Sequence, residues 1–361
     1  MDVDDMSMSH DHEHGHGHDH GNGEGSQFTP LSRYARLDTL VTVVDTFNVI
    51  HCLSSVETSA ERQKLLGDEA EASKEEQEQS VADLLVDQIE FANIILLNKI
   101  DLVPGKTDEH KAAMVDKVRS LCKRLNPAAT VVAPSRPKFE GFDVNGVLAT
   151  GMFDMEDAQS SAGWMRELEK PEHTPETEEY GISSFVFREN NRPFHPERLA
   201  AIIDCFGRID LSQAGEKMEK ANGDGSREGK DIFAGIVRAK GSIWLANADA
   251  YPMDLHVAGR AFEIKPNTNE LFLSGALDAV AKNNWRDAFS ADFLAQFELA
   301  QQSWQWTEAS GDHASELVCI GIGMDKEAIE TGLQGALLND IEMAKGKRSW
   351  KEFADPFFGG K

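Results

Sequence analysis

Two uninterrupted apolar runs stand out along the chain: Leu40-Val41-Thr42-Val43-Val44, ending in Asp45, and Ile94-Ile95-Leu96-Leu97, ending in Asn98. Runs of this length without polar alternation are the pattern of strands covered on both faces, as in a parallel sheet. Between them Val81, Leu84, Leu85, Ile89 and Ala92 recur at helical spacing, so residues 40–97 predict strand, crossover helix, strand. Residues 54–80, charged and of low complexity, read as an exposed insertion ahead of that helix. Val115, Val118, Leu121, Cys122 and Leu125 predict a helix from about His110, closed by Asn126-Pro127, and Thr130-Val131-Val132-Ala133 predicts a third short strand.

The pattern changes after residue 153. Residues 154–180 carry Pro171, Pro175 and seven glutamates, a linker composition. Beyond them Ser183–Phe187, Ile232–Leu245 and Leu317–Ile322 predict strands. A helix opens at Pro196, where proline's missing N–H costs nothing, and another runs over Asp325–Leu338 with Asp325 as N-cap. Residues 221–230 read as a polar loop. The expected layout is a polar tail over 1–30, an α/β part over 31–153, a linker over 154–180 and an α+β part over 181–358. An α/β part that starts at Leu40 leaves an apolar sheet edge open, a template for self-association.

Composition sharpens this picture. The net charge is −26, and residues 1–25 and 56–90 contribute −7 and −8 of it. A strongly acidic chain does not suit a polyphosphate partner, so nucleic acid is not expected. No stretch approaches the ~20 apolar residues of a membrane span, and residues 1–27 lack the apolar core of a secretory signal. The expected location is cytoplasmic, without a membrane partner. Cys52, Cys122, Cys205 and Cys319 form no Cys-x-x-Cys pair and read as free thiols rather than a disulfide framework or zinc knuckle.

Asn98-Lys99-Ile100-Asp101 matches the Asn-Lys-x-Asp signature of GTP-binding proteins. There the Asp carboxylate accepts from the ring N–H and the exocyclic amine of guanine, a two-point contact that adenine cannot make. Asn98 ties neighbouring loops together and Lys99 lies along the base. The motif falls just past the C-terminal end of a predicted strand, where open α/β sheets bind ligands.

With Arg36–Asp45, Gln88–Ala92 and Ile94–Val103, the first part resembles the second half of a CobW-family P-loop GTPase domain. Phe187-Arg188, Arg192–Leu199, Arg238–Gly241, Trp244–Ala246, Glu316–Gly321, Met324-Asp325 and Asp355–Phe357 are similar to that family's C-terminal domain. The resemblance covers about 320 residues. It implies a partial P-loop NTPase-type parallel sheet followed by an α+β domain, GTP and Mg²⁺ as cofactors of intact members, and delivery of zinc or cobalt to a metalloprotein client. Three features of such members are absent from this sequence: a Gly-x-x-Gly-x-Gly-Lys-[Ser/Thr] loop, a Cys-x-Cys-Cys motif and a Glu-x-x-Gly switch. The expectation is a relative shortened in its coding sequence or by loss, retaining base recognition. Gly105-Lys106-Thr107 follows the base loop and is no phosphate loop, since Ile100 stands where a glycine is needed. With no cradle for the phosphates, no catalytic residue is assigned and hydrolysis by this chain alone is not expected.

His10, His12, His14, His16, His18 and His20 alternate with acids and glycines. Imidazoles beside carboxylates suit zinc, with cobalt or nickel as alternatives, and Gly15 and Gly17 permit the bend that one ion requires. Asp45 could face a Mg²⁺ ion or serve as a turn former; His195, His256 and His313 read as structural. A reading from another class stays open, in which the chain is a non-enzymatic metal buffer or client-docking protein.

Overall fold

A computed structural model describes residues 35–54, 80–134, 139–140, 142–155, 163–169, 181–203, 232–267, 272–274 and 289–358. The histidines at positions 10 to 20, most of the acidic insertion and the 221–230 stretch lie outside the described residues. From Asp38 onward the chain forms one unit.

The first part alternates strand and helix: β1 (Val41–Asp45), α1 (Val49–Leu53), α2 (Val81–Phe91), β2 (Ile94–Asn98), α3 (Asp108–Leu125) and β3 (Thr130–Val132). The strands form a parallel sheet in the order β1-β2-β3, with Val41 opposite Ile94 and Asp45 opposite Asn98. β2 is buried along its apolar length, as its sequence predicts. β1 departs from expectation, because Val41 and Val43 are 38% and 55% exposed. Among the described residues β1 pairs only with β2, which places it at the sheet edge, and the face that carries Val41 and Val43 is exposed.

α2 starts at Ser80, whose hydroxyl accepts from Asp83 N. Its far end is capped by a residue from another helix. Asn126, wholly buried, donates through Nδ2 to the carbonyls of Ile89, Glu90 and Ala92, each at 2.9 Å. Its Oδ1 accepts from Ala128 N and Ala129 N. One side chain therefore satisfies the orphan carbonyls of α2 and shapes the turn into β3.

Within the segment read as a linker, Gly163–Glu169 forms α4, and Trp164 and Leu168 pack against the core. Then follow β4 (Ile182–Glu189), α5 (Pro196–Ile203), β5 (Ile236–Leu245), β6 (Ala248–Ala258), β7 (Ala261–Pro266), α6 (Ala291–Ala300), β8 (Ser315–Ile322), α7 (Lys326–Ala336), α8 (Asp340–Lys345) and α9 (Lys347–Trp350). Asp325 caps α7 as read from the sequence, accepting from Ala328 N at 3.0 Å. The strands pair antiparallel in the order β4-β8-β5-β6-β7.

The two sheets share a core. One buried cluster joins Val86, Ile89, Leu121 and Leu125 of the first part to Ile182, Val186, Val318 and Ile320 of the second. The β6–β7 turn reinforces the junction. Gly259 has φ 56, and a Cβ there would collide with the Leu53 carbonyl at the end of α1, so only glycine fits. No described helix is long and apolar enough to cross a membrane.

Candidate functional site

The C-terminal ends of β1 and β2 place the predicted motif. Asp45 and Asn98 are register partners at the sheet's edge of the loop region, and Thr46 N donates to Asn98 O at 3.0 Å. The chain then turns sharply. Lys99 takes φ 57, a left-handed conformation that is uncommon for a residue with a side chain. Asn98 Oδ1 accepts from Lys99 N at 2.8 Å, and Leu102 N closes the turn onto Lys99 O at 3.1 Å. The asparagine side chain thus braces the backbone of its own loop at the next residue.

Lys99 Nζ lies 2.7 Å from Asp45 Oδ2, with both side chains partly exposed. Asp45 also accepts from Asn48 N at 3.1 Å and Asn48 Nδ2 at 2.8 Å. Partial burial pushes the Asp45 carboxyl up, but the hydrogen bonds from Lys99 and Asn48 outweigh it and leave the pKa below the ordinary carboxylate value. Asp45 is therefore an ionised anchor for Lys99. Asn48 was not foreseen, although an Asn three residues after a strand-ending Asp is a turn signal. Asp101 is exposed, and its carboxylate hydrogen-bonds no described residue, so both oxygens are open to an incoming pair of N–H donors.

A guanine nucleotide meets unequal parts of this site. The base would meet a backbone-braced loop that presents an exposed carboxylate, Asp101. Thr46 Oγ1, buried beside the loop, adds a polar atom without a partner among the described residues. Among the described residues its phosphates find no Gly-rich cradle. Thr107 of the Gly105-Lys106-Thr107 triplet caps α3 instead, accepting from His110 N at 3.2 Å. No group of three His, Cys, Asp or Glu able to hold a metal occurs among the described residues.

The remaining candidates have packing roles. His195 is buried, its backbone N–H donates to Ala336 O at 2.8 Å, and its ring lies 4.3 Å from that of Phe353. Burial and the nearby Arg198 lower its pKa, so it stays neutral. His313 is wholly buried and stacks on Phe272 at 4.0 Å. Its Nδ1 lies 2.7 Å from Ser310 O and 3.0 Å from Ser274 Oγ, and Ser274 Oγ lies 2.6 Å from Asp312 Oδ1, so the ring is held within a buried polar cluster. Cys122 and Cys319 are buried free thiols, and burial raises the Cys122 thiol to about 12.

Two family profiles match the chain. The first, described as the CobW/HypB/UreG nucleotide-binding domain, covers residues 24–133; the second, the cobalamin synthesis protein cobW C-terminal domain, covers 182–337. The chain belongs to the CobW family. The CobW nucleotide-binding match spans the whole parallel sheet and its base loop, and the C-terminal match spans β4 to the end of α7. Among curated relatives, zinc-regulated GTPase metalloprotein activator 1 of Dictyostelium discoideum is 31% identical over 328 residues, which is 90% of this chain and 57% of that protein. A zinc chaperone of Mycobacterium tuberculosis is 28% identical over 169 residues, 46% of this chain and 32% of its own length. The chain therefore spans little more than half of the first of these relatives and a third of the second. The crystal structure of the Zn(II)-bound YjiA GTPase from E. coli aligns over 85% of this chain and 63% of its own at 15% identity, with a TM-score of 0.28 too low to carry an argument.

Proposed function

We propose that this CobW protein recognises the guanine base through Asn98, Lys99 and Asp101 and serves as a zinc metallochaperone, passing the metal to a metalloprotein client. The observation that carries the reading is the braced turn at the end of β2, with Asp101 open to two N–H donors and Lys99 held by Asp45. The zinc relatives named above support the choice of metal, and cobalt and nickel are the alternatives that the same imidazoles accommodate. Zinc is cargo here, taken up by His10, His12, His14, His16, His18 and His20.

A phosphate loop does not occur in these 361 residues, which supports the reading that this chain by itself does not turn over GTP. That same feature favours a second reading, a non-enzymatic metal buffer or client-docking protein. The exposed Val41 and Val43 at the edge of the parallel sheet support self-association in either case. Equilibrium binding separates the two readings. Guanosine diphosphate binding measurably more tightly than adenosine diphosphate supports the first; equal or absent binding with intact zinc uptake supports the second.

A further inference from the structure

α2 meets the antiparallel sheet through charge. Asp83, Asp87 and Glu90 lie at i, i+4 and i+7, one face of that helix, and opposite them stand Arg238 of β5 and His256 of β6. Arg238 is 1% exposed, and its Nη2 lies 2.8 Å from Glu90 Oε2 and 3.6 Å from Asp87 Oδ1. Its Nη1 lies 2.6 Å from His256 Nε2. The same Nε2 lies 3.1 Å from Asp83 Oδ1.

These two contacts make opposite demands on one nitrogen. A guanidinium only donates, so the Arg238 contact needs a lone pair on Nε2; a carboxylate only accepts, so the Asp83 contact needs a proton there. Both cannot be satisfied at once. The other charged groups around the ring are engaged elsewhere. Lys240, the cross-strand neighbour on β5, sits 4.5 Å over the Trp164 ring of α4. Glu263, the neighbour on β7, pairs with Lys265 at 3.2 Å, and Asp254 on β6 accepts from Asn267 at 3.3 Å.

We infer that His256 is a proton-operated fork at the junction of the two parts, bonded to Arg238 when neutral and to Asp83 when protonated. With the ring neutral, Nε2 accepts from Arg238 and the proton resides on Nδ1. Protonation puts N–H against N–H and cation against cation on the Arg238 side, so that contact opens and His256 forms an ion pair with Asp83 near the start of α2. Arg238 retains Glu90 and Asp87 but loses its third partner. A proton thus adds a bond from β6 to the beginning of α2, while Arg238 keeps its hold on the end of that helix. The fork does not depend on the nucleotide reading, since every group in it belongs to the apo chain.

Histidine-selective ¹⁵N labelling of the whole chain tests it, with His256 assigned by the signal lost in His256→Gln. At pH 8 the expected two-bond ¹H–¹⁵N pattern is that of the Nδ1–H tautomer; an Nε2–H tautomer overturns the proposal. Asp83→Asn should weaken proton binding by His256 about tenfold, the effect of removing an opposite charge at this range; an unchanged titration overturns it. Hydrogen exchange supplies an arm that needs no assignment. After correction for intrinsic rates, amides near Asp83 should exchange at least threefold more slowly at pH 6 than at pH 8 in the native chain. In His256→Gln, whose amide donates to Asp83 and accepts from Arg238 together, that difference should vanish. A difference that persists in His256→Gln, or is absent in the native chain, places the switch elsewhere and sinks the fork.

Discussion

Asn126→Ala is the substitution whose cost the structure defines most sharply. The side chain is wholly buried and holds five backbone groups: the carbonyls of Ile89, Glu90 and Ala92, and the N–H groups of Ala128 and Ala129. Ile89 O keeps the Ala92 N–H and the exposed Ala128 N–H can turn to water, so the change strands up to two acceptors, Glu90 O and Ala92 O, and one buried donor, Ala129 N. A buried polar group left without a partner costs about 1–3 kcal/mol, and water entering the small void recovers part of that. The expected loss is about 3–5 kcal/mol, at the upper end for a single substitution. Urea unfolding at pH 7 reads it as a lower midpoint with an unchanged slope. Asn126→Asp keeps both acceptor contacts but turns a carboxylate toward three carbonyls, which raises its pKa in the fold, so its deficit relative to the native chain should shrink as the pH falls toward about 4 and the carboxyl regains a donor. A loss under about 1 kcal/mol for Asn126→Ala, or an Asp variant whose deficit grows on acidification, would refute the assignment of Asn126 as the cap of α2.

Gly259→Ala should destabilise by about 2 kcal/mol or more, since it combines a left-handed φ with a clash on the Leu53 carbonyl; a melt within 1 °C of native would contradict this. Arg198 holds Glu342 with two bonds, 2.8 and 2.7 Å, and those bonds take its pKa from 4.5 down to about 2. Because the folded value lies below the unfolded one, the stability from this pair is present above about pH 4.5 and lost as pH falls toward 2. Glu342→Gln should flatten that part of the acid unfolding curve, and an unaltered curve would count against the pair. Deleting residues 1–27 should abolish most zinc uptake measured by calorimetry, and equal uptake by the shortened chain would move the metal into the folded part. Phosphate release from GTP should stay at the no-protein blank, and release lost on Asp101→Asn would reverse that expectation.

The parallel sheet was legible because its determinants are local. Ile94–Leu97 announces a covered strand, and Asp325 announces a helix start, with no knowledge of what packs above them. The base loop was legible for the same reason, as four consecutive residues at a strand end. β6 and β7 were not read, although buried Met253, Leu255 and Val257 alternate with Asp254 and His256 along β6 at strand spacing, and His256 is the polar side chain there that meets α2. Asn126 was taken only as the end of its own helix, since the helix it caps lies more than thirty residues earlier. The open face of β1 likewise escaped the reading of its sequence: an apolar run records what a strand could bury, whereas Val43 shows what nothing described covers.

The central claim is that Asp101 reads guanine, and exchanging its carboxylate for an amide tests this most directly. Asp accepts from the N1–H and N2 amine of guanine, whereas Asn offers an N–H that suits the carbonyl at position 2 of xanthine. Calorimetry of the native chain and Asp101→Asn with guanosine and xanthosine diphosphates should show the preference reversed, each change worth about 1–3 kcal/mol in the two-point contact. A native chain that binds the two bases equally, or an Asp101→Asn chain that keeps its preference for guanine, would contradict the account.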